Sequence, residues 1–416
     1  MQVISIDGFM ASMMAAEGMK GCMAVMHGPG GCRLHTSRLS TREVVREYEI
    51  MEGAFYFNHP RIPCTYMDEE DYINGADYKV TELLNTIEGV EVCVIISSPG
   101  ASLIGDDLRG AADRSKFKGT VVVPERCHMS ESAHVGYDSI MADIVNAVCT
   151  ESETRKGAVN IVGLPTLLKG WRKTAMELRG YLEAMGLEVI ACVGAGCSVE
   201  DLKKSTEAEF NVSVLPEYCE RTSEAYANVG VKTLYPMVPI GFDFTESWIM
   251  DVAKRADVDP TPALSIFNEV KDRASNVMKG SLGEGLISKC ATYSMCLEST
   301  MVLPMVKWLH SYLSMFPKSI RACEWWNSEY RKSLEGLLKS MHSEDALRDD
   351  MELIRSDAMF ANGLTAKMAE RRGDCSVGID MWMPSMHRME FVERPVLGAK
   401  GAMRILDDLF YDLSKG

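Results

Sequence analysis

The chain has 416 residues, with an apolar fraction of 46% and a charged fraction of 25%. That is the balance of an ordinary globular protein, and the length exceeds what one hydrophobic core usually organises. A formal net charge of −15 argues against nucleic acid or an anionic membrane as the main partner, since both repel an acidic surface. No apolar run reaches the roughly 18 residues needed to cross a bilayer, and the N-terminus lacks a basic start and small-residue cleavage site, so the expected location is cytoplasmic.

The first predicted element is the apolar helix FMASMMAAEGM (residues 9 to 19), with Asp7 placed where an N-cap belongs. Such an apolar surface is expected to be buried in a subunit interface. The run CMAVM (22 to 26) follows and leads into HGPGGC, His27 to Cys32. Gly28, Gly30 and Gly31 carry no Cβ, so this turn accepts positive φ and close approach of a neighbour. It suits a buried backbone crossing, or a bulky inorganic ligand held close to the main chain. Cys64 lies further on in the loop RIPCTYM, ahead of an acidic segment.

Short apolar or β-branched runs then alternate with helical stretches: EVCVIISS (91 to 98), GTVVVP (119 to 124), AVNIVGLP (158 to 165), EVIACVG (188 to 194) and SVLPEY (213 to 218) read as strands. KTAMELRGYLEAMG (173 to 186) reads as a helix with Met176, Leu178, Leu182 and Met185 largely on one apolar face. A strand-turn-helix unit recurs at AVNIVGLP, at EVIACVGAGCSVEDLKK and near CATYSMC (290 to 296), the last followed by LESTMVLPMVKWLHSYL. Residues 327 to 372 read as charged helix presenting a solvated face. The closing AMRILDDLFYDL reads as a helix packed on the body of the protein.

Strands separated by helices imply parallel sheets covered on both faces. The predicted class is α/β, with three Rossmann-like doubly wound domains around a central cleft. Breaks at the polar stretch TESETRKG and the glycine-rich MKGSLGEG place these domains at 1–155, 156–282 and 283–416.

Two nucleotide motifs fail. GAGCSV (194 to 199) begins like a dinucleotide fingerprint but has Val199 where the third glycine belongs, so it reads as a strand-to-helix turn in which Ser198 and Glu200 help satisfy free amides. The phosphate-loop pattern GxxxxGK[ST] is absent, and no GK dipeptide occurs. Any ATP used is expected to be bound by another protein. Thirteen cysteines, an odd number with no CxxC, argue against a disulfide framework and against zinc-ribbon or thioredoxin motifs. Most of these thiols, like the 29 methionines, read as core filling; Cys22 is one, and Cys290, Cys296 and Cys323, near predicted strand ends of the third domain, default to the same role.

HGPGGC, YMDEEDYINGADYKV (66 to 80), VIISSPGASLIGDDL (94 to 108), LPEYCERTSEAY with PMVPIGFDFTESWI, and ERPVLGAKGAMRILDDLF occur in this order. Together they resemble the nitrogenase component 1 superfamily: molybdenum-iron protein subunits, their cofactor-assembly paralogues and the dark-operative tetrapyrrole reductases. The resemblance covers nearly the whole chain.

It implies that Cys32 ligates iron in a cluster, of 4Fe-4S type, shared across an interface with a homologous subunit in a hetero- or homo-oligomer. His27, Gly28 and Gly31 would shape the turn, whose amides can hydrogen-bond cluster sulfurs. It further implies a separate ATP-dependent iron protein that docks over this face and delivers electrons toward a substrate or cofactor in the central cleft. Two departures from the family pattern stand out: Pro99 occupies one ligand-cysteine position and Asp7 another. Asp7 is then either a carboxylate ligand or the N-cap, and Cys64 an alternative thiolate. His35 either tunes the cluster or faces solvent, and His387 lies near where a cofactor histidine occurs in some members. The alternatives to a reductase subunit are a scaffold for metallocofactor or tetrapyrrole assembly, and a binding subunit without a redox role.

Overall fold

The computed structural model describes residues 5–34, 36, 62–283, 291–322, 324–349, 351, 354–385 and 392–413. His35, Cys290, Cys323 and His387 lie outside the described residues.

Three parallel sheets form the framework. The first has the order β1 (Cys22–His27), β2 (Val92–Ser97), β3 (Thr120–Val122). The second runs β5 (Glu188–Cys192), β4 (Arg155–Val162), β6 (Ala208–Ser213), β7 (Lys232–Leu234). The third runs β11 (Cys375–Trp382), β10 (Ser356–Asn362), β8 (Thr292–Leu297), β9 (Phe316–Ala322). All six residues of β1 are buried, as expected of a parallel strand covered on both faces. The three sheets bear out the Rossmann-like class.

Four local expectations need correction. Helix Gly8–Glu17 is buried within the chain, not left for a subunit interface: it packs on helix Ala133–Val148, and Ala11, Met13, Met14, Ala15 and Ala16 are buried. A Cβ on Gly136 would stand 2.0 Å from the Gly8 carbonyl oxygen, so only glycine permits this crossing. SVLPEY is not a strand. The strand is the preceding AEFNVS, and Pro216–Tyr218 forms a 3-10 turn, since Pro216 has no N–H to give a ladder. Polar residues hid β6, because Asn211 is buried and accepts from Asn160 Nδ2 at 2.8 Å. Residues 327 to 372 contain helix Ser328–Ser340, but also β10, a central strand, and helix Gly363–Arg372. Met176 does not share the buried face of helix Trp171–Ala184 with Leu178 and Leu182; it is 61% exposed.

GAGCSV docks the first sheet's unit onto the second. Gly196 N donates to the Gly18 carbonyl at 2.8 Å, Lys20 N to Cys197 O at 2.9 Å, and Val199 N to Lys20 O at 3.1 Å. Ser198 caps helix Val199–Lys204, and Asp201, not Glu200, closes the capping box. The closing helix Gly398–Leu413 buries Ile405, Leu406 and Leu409 and packs on β11 and helix Gly241–Ala256.

Candidate functional site

The turn after β1 is built from both sides. Residues 63 to 65 run beside the end of β1: Met26 N donates to Pro63 O at 2.8 Å and Thr65 N to Met26 O at 3.1 Å. Gly28 sits at φ 154, where a Cβ would lie 2.3 Å from Ser98 Oγ. Gly30 faces the Tyr66 ring, which a Cβ would meet at 2.8 Å. Gly28 is required by the chain's own packing, whereas a side chain at Gly30 would have to displace the half-exposed Tyr66 ring. Gly31 is not required: apart from its chain neighbours and its own helical turn, no atom of the described residues lies within 4 Å of where its Cβ would stand.

His27 is fully buried beneath this turn, with Nε2 2.9 Å from Asp106 Oδ2 and Nδ1 3.2 Å from Thr65 Oγ1. The partners assign the hydrogens. A carboxylate only accepts, so Nε2 carries a hydrogen to Asp106, while Thr65 Oγ1 accepts from Gly28 N at 3.0 Å and is paired with Nδ1. Asp106 also accepts from Ala76 N. The chain Gly28, Thr65, His27, Asp106 thus ties the glycine turn to the IGDD segment.

Cys32 lies on the helical turn that follows and is exposed. Its N–H donates to Pro29 O at 3.1 Å. Cys64 is close by but turned inward: Sγ donates to Gly28 O at 3.0 Å and accepts from Tyr66 N at 3.3 Å. Burial pushes its thiol up, a shift that the Tyr66 N–H and the Arg33 cation oppose and the Cys32 sulfur reinforces. Asp7 is engaged elsewhere. Its Oδ1 accepts from Met10 N at 2.9 Å, the N-cap geometry, and the residue lines a cleft that Cys32 and Cys64 do not. Among the described residues no group of three or more His, Cys, Asp or Glu side chains is placed to hold a metal ion.

One thiol in this neighbourhood went unnoticed in sequence. Cys127, after β3, is partly exposed and stands 3.9 Å from Ser102 Oγ, in a cavity of about 300 Å³ that His27 and Asp106 also line. No local motif marks it, since it arrives through the pairing of β3 with β2.

The cleft that holds Asp7 has a volume of about 390 Å³. Cys296, Glu298, Arg321, Asn362 and Trp382, at or just past the C-terminal ends of β8 to β11, form one wall, and Ser132 part of the other. In the third sheet β8 has β9 on one side and β10 on the other, so the cleft opens where the strand order reverses, the usual ligand crevice of open α/β sheets. Tyr218 reaches this region from the second unit, its ring 5.5 Å from that of Trp382.

Three parallel-sheet domains, a cleft at a strand switch and an exposed cysteine on a glycine turn define a nitrogenase-like α/β architecture. The chain belongs to the nitrogenase component 1 type oxidoreductase family, whose profile matches residues 8–413. It is similar to the B-type subunit of the light-independent protochlorophyllide reductase of Heliobacterium modesticaldum, 22% identical over 379 residues, covering 86% of this chain and 70% of that protein. For the corresponding reductase subunit of Cereibacter sphaeroides the identity is 26% over 78% of this chain and 62% of the relative, and for that of Methylocella silvestris 27% over 61% and 50%. The chain therefore matches from half to seven-tenths of the length of these relatives. The solved structure "Nitrogenase Cp1 at pH 6.5" superposes with a TM-score of 0.79 over 100% of this chain and 94% of that one, at 16% identity, a likeness of fold. Among the described residues no helix is long and apolar enough to cross a membrane.

Proposed function

We propose that this chain is an oxidoreductase subunit that receives electrons from an ATP-dependent iron protein through an iron-sulfur cluster at an interface with a homologous subunit, for reduction of a substrate or cofactor in the central cleft. The observation that carries this reading is the exposed thiol of Cys32 on the glycine turn. Apolar groups left in solvent adjoin it: Leu34 and Tyr66 flank the turn, and Tyr72, Ile73 and Leu103 follow on neighbouring segments, the last two 82% and 87% exposed. Such a patch around a metal-ligating residue type is what a subunit interface needs.

The donor set of this chain fits part of a cluster site. Cys32 offers a thiol to iron, Cys64 would have to leave Gly28 O to join it, and Asp7 already serves as N-cap. In this reading the remaining ligands come from the partner. When bound, the cluster supplies one-electron relay. The protein's own residues hold the turn rigid through His27 and Asp106, present the Cys32 sulfur, and keep water from the buried side.

Iron and sulfide analysis with EPR of anaerobically purified complex tests this. Cys32→Ser should lower iron content and abolish reduction with the fold intact, because an alkoxide is a poor iron ligand, while Cys22→Ser, in the buried strand β1, should cost on the order of 1–2 kcal/mol of stability and leave iron unchanged. Loss of iron on Cys22→Ser with retention on Cys32→Ser would overturn the assignment. Iron with no turnover beside an iron protein points to the assembly scaffold, and protein free of iron to a binding subunit.

A further inference from the structure

Gly30, Cys32 and Arg33 sit on one helical turn, and Tyr66 meets it from the other strand of the loop. Gly30, without a Cβ, leaves the Tyr66 ring room against the turn. The Arg33 guanidinium lies 5.3 Å from the centre of that ring, and its Nη2 donates to the Tyr66 hydroxyl at 2.6 Å. Tyr66 N in turn donates to Cys64 Sγ at 3.3 Å. Tyr66 adopts φ 52, a left-handed value unfavourable for a residue with a side chain, so the surrounding contacts hold it there.

Arg33 is fixed without being neutralised. Its partners are a phenol hydroxyl and an aromatic face; among the described residues no carboxylate pairs with it, and its Nε is buried without an acceptor. The charge reaches the sulfur side of the turn: burial raises the Cys64 thiol, and the Tyr66 N–H and the Arg33 cation pull against that rise. Cys32, the neighbour of Arg33 in the chain, is exposed. A cation held at short range favours whichever state of its neighbour is more negative, and net charge beside a cluster is one of the levers on its potential.

We propose that Arg33 is the residue of this chain that sets the reduction potential at Cys32, its fixed charge favouring the reduced cluster, with Tyr66 as the group that positions it. This rests on the reading of Cys32 as a cluster ligand. The step concerned is a one-electron transfer in which the cluster gains the electron that the donor protein's reduced centre loses, and no bond is made or broken. A subunit seated over Leu34 and Tyr66 excludes water from the turn and strengthens the effect of the charge.

The test is an EPR-monitored redox titration of the anaerobically purified complex, with iron content measured on every sample. Arg33→Gln should keep its iron and shift the equilibrium about tenfold toward the oxidised cluster, which is a midpoint about 59 mV lower for a one-electron couple. Arg33→Lys retains the charge and should titrate close to the parent. Tyr66→Phe keeps the ring but removes the hydroxyl that fixes the guanidinium, so its midpoint should fall between the parent and Arg33→Gln. The proposal is overturned if Arg33→Gln titrates as the parent does, or if Arg33→Lys falls as far as Arg33→Gln. Should Arg33→Gln lose its iron, Tyr66→Phe decides: a lowered midpoint supports the assignment and an unchanged one overturns it. Parent protein free of iron overturns the cluster reading itself, a failure distinct from an iron-loaded parent whose midpoint is indifferent to Arg33.

Discussion

Asp138 shows at single-residue resolution how a buried carboxylate is made to serve structure. It lies inside helix Ala133–Val148 and accepts from Arg221 N at 2.7 Å, Thr222 N at 3.0 Å and Thr222 Oγ1 at 2.6 Å, so it anchors the start of helix Glu220–Asn228. Burial pushes its pKa up from 3.8 to about 6, against the pull of those donors. The native state therefore binds more protons than the unfolded chain between these values, and this residue's contribution to stability declines as pH rises from about 4 to 6 and is level above. The loss is on the order of 3 kcal/mol. Asp138→Asn removes that pH dependence while turning an amide toward backbone donors. Denaturant melts of parent and variant from pH 4 to 8 should give a stability difference that changes below pH 6 and is flat above it; a difference that is flat throughout would contradict the assignment.

Elements in this chain are decided by close approach as much as by pattern. Helix Gly8–Glu17 crosses helix Ala133–Val148 at Gly8 and Gly136, with no room for a methyl group. Gly136→Ala should favour the helix by intrinsic propensity, by roughly 1 kcal/mol, yet overpacking of this crossing costs about 1–3 kcal/mol. A net loss of stability, or misfolding, is expected, and an increase in Tm would show that the two helices separate easily. Strand β10 makes the converse point. Its sequence SDAMFAN has no β-branched residue, so propensity does not mark it as a strand. Pairing with β8 and β11 on either side makes it one.

For the whole molecule, the interface proposed above is tested at the surface around Cys32. Ile73 and Leu103 are the most exposed large apolar side chains in that region, and neither contributes to the core of the first sheet. Leu103→Asp combined with Ile73→Lys should leave folding within about 0.5 kcal/mol of the parent and shift the assembly toward monomer by light scattering, with a fall in bound iron. An unchanged assembly would place the partner elsewhere.

Legibility in sequence followed the range of the interactions. Alternating apolar strands and helices, the glycine turn with Cys32, the N-cap at Asp7 and the closing helix were all readable, because each rests on neighbours within a few residues. Tertiary structure alone decided the rest. It turned Cys64 inward onto Gly28 O, brought Cys127 beside Ser102, put Asp7 in the central cleft, and left Met176 exposed. Each of those outcomes depends on which strand lies beside which, and on how three sheets press together. Those contacts join residues tens to hundreds of positions apart, and periodicity along one chain carries no record of them.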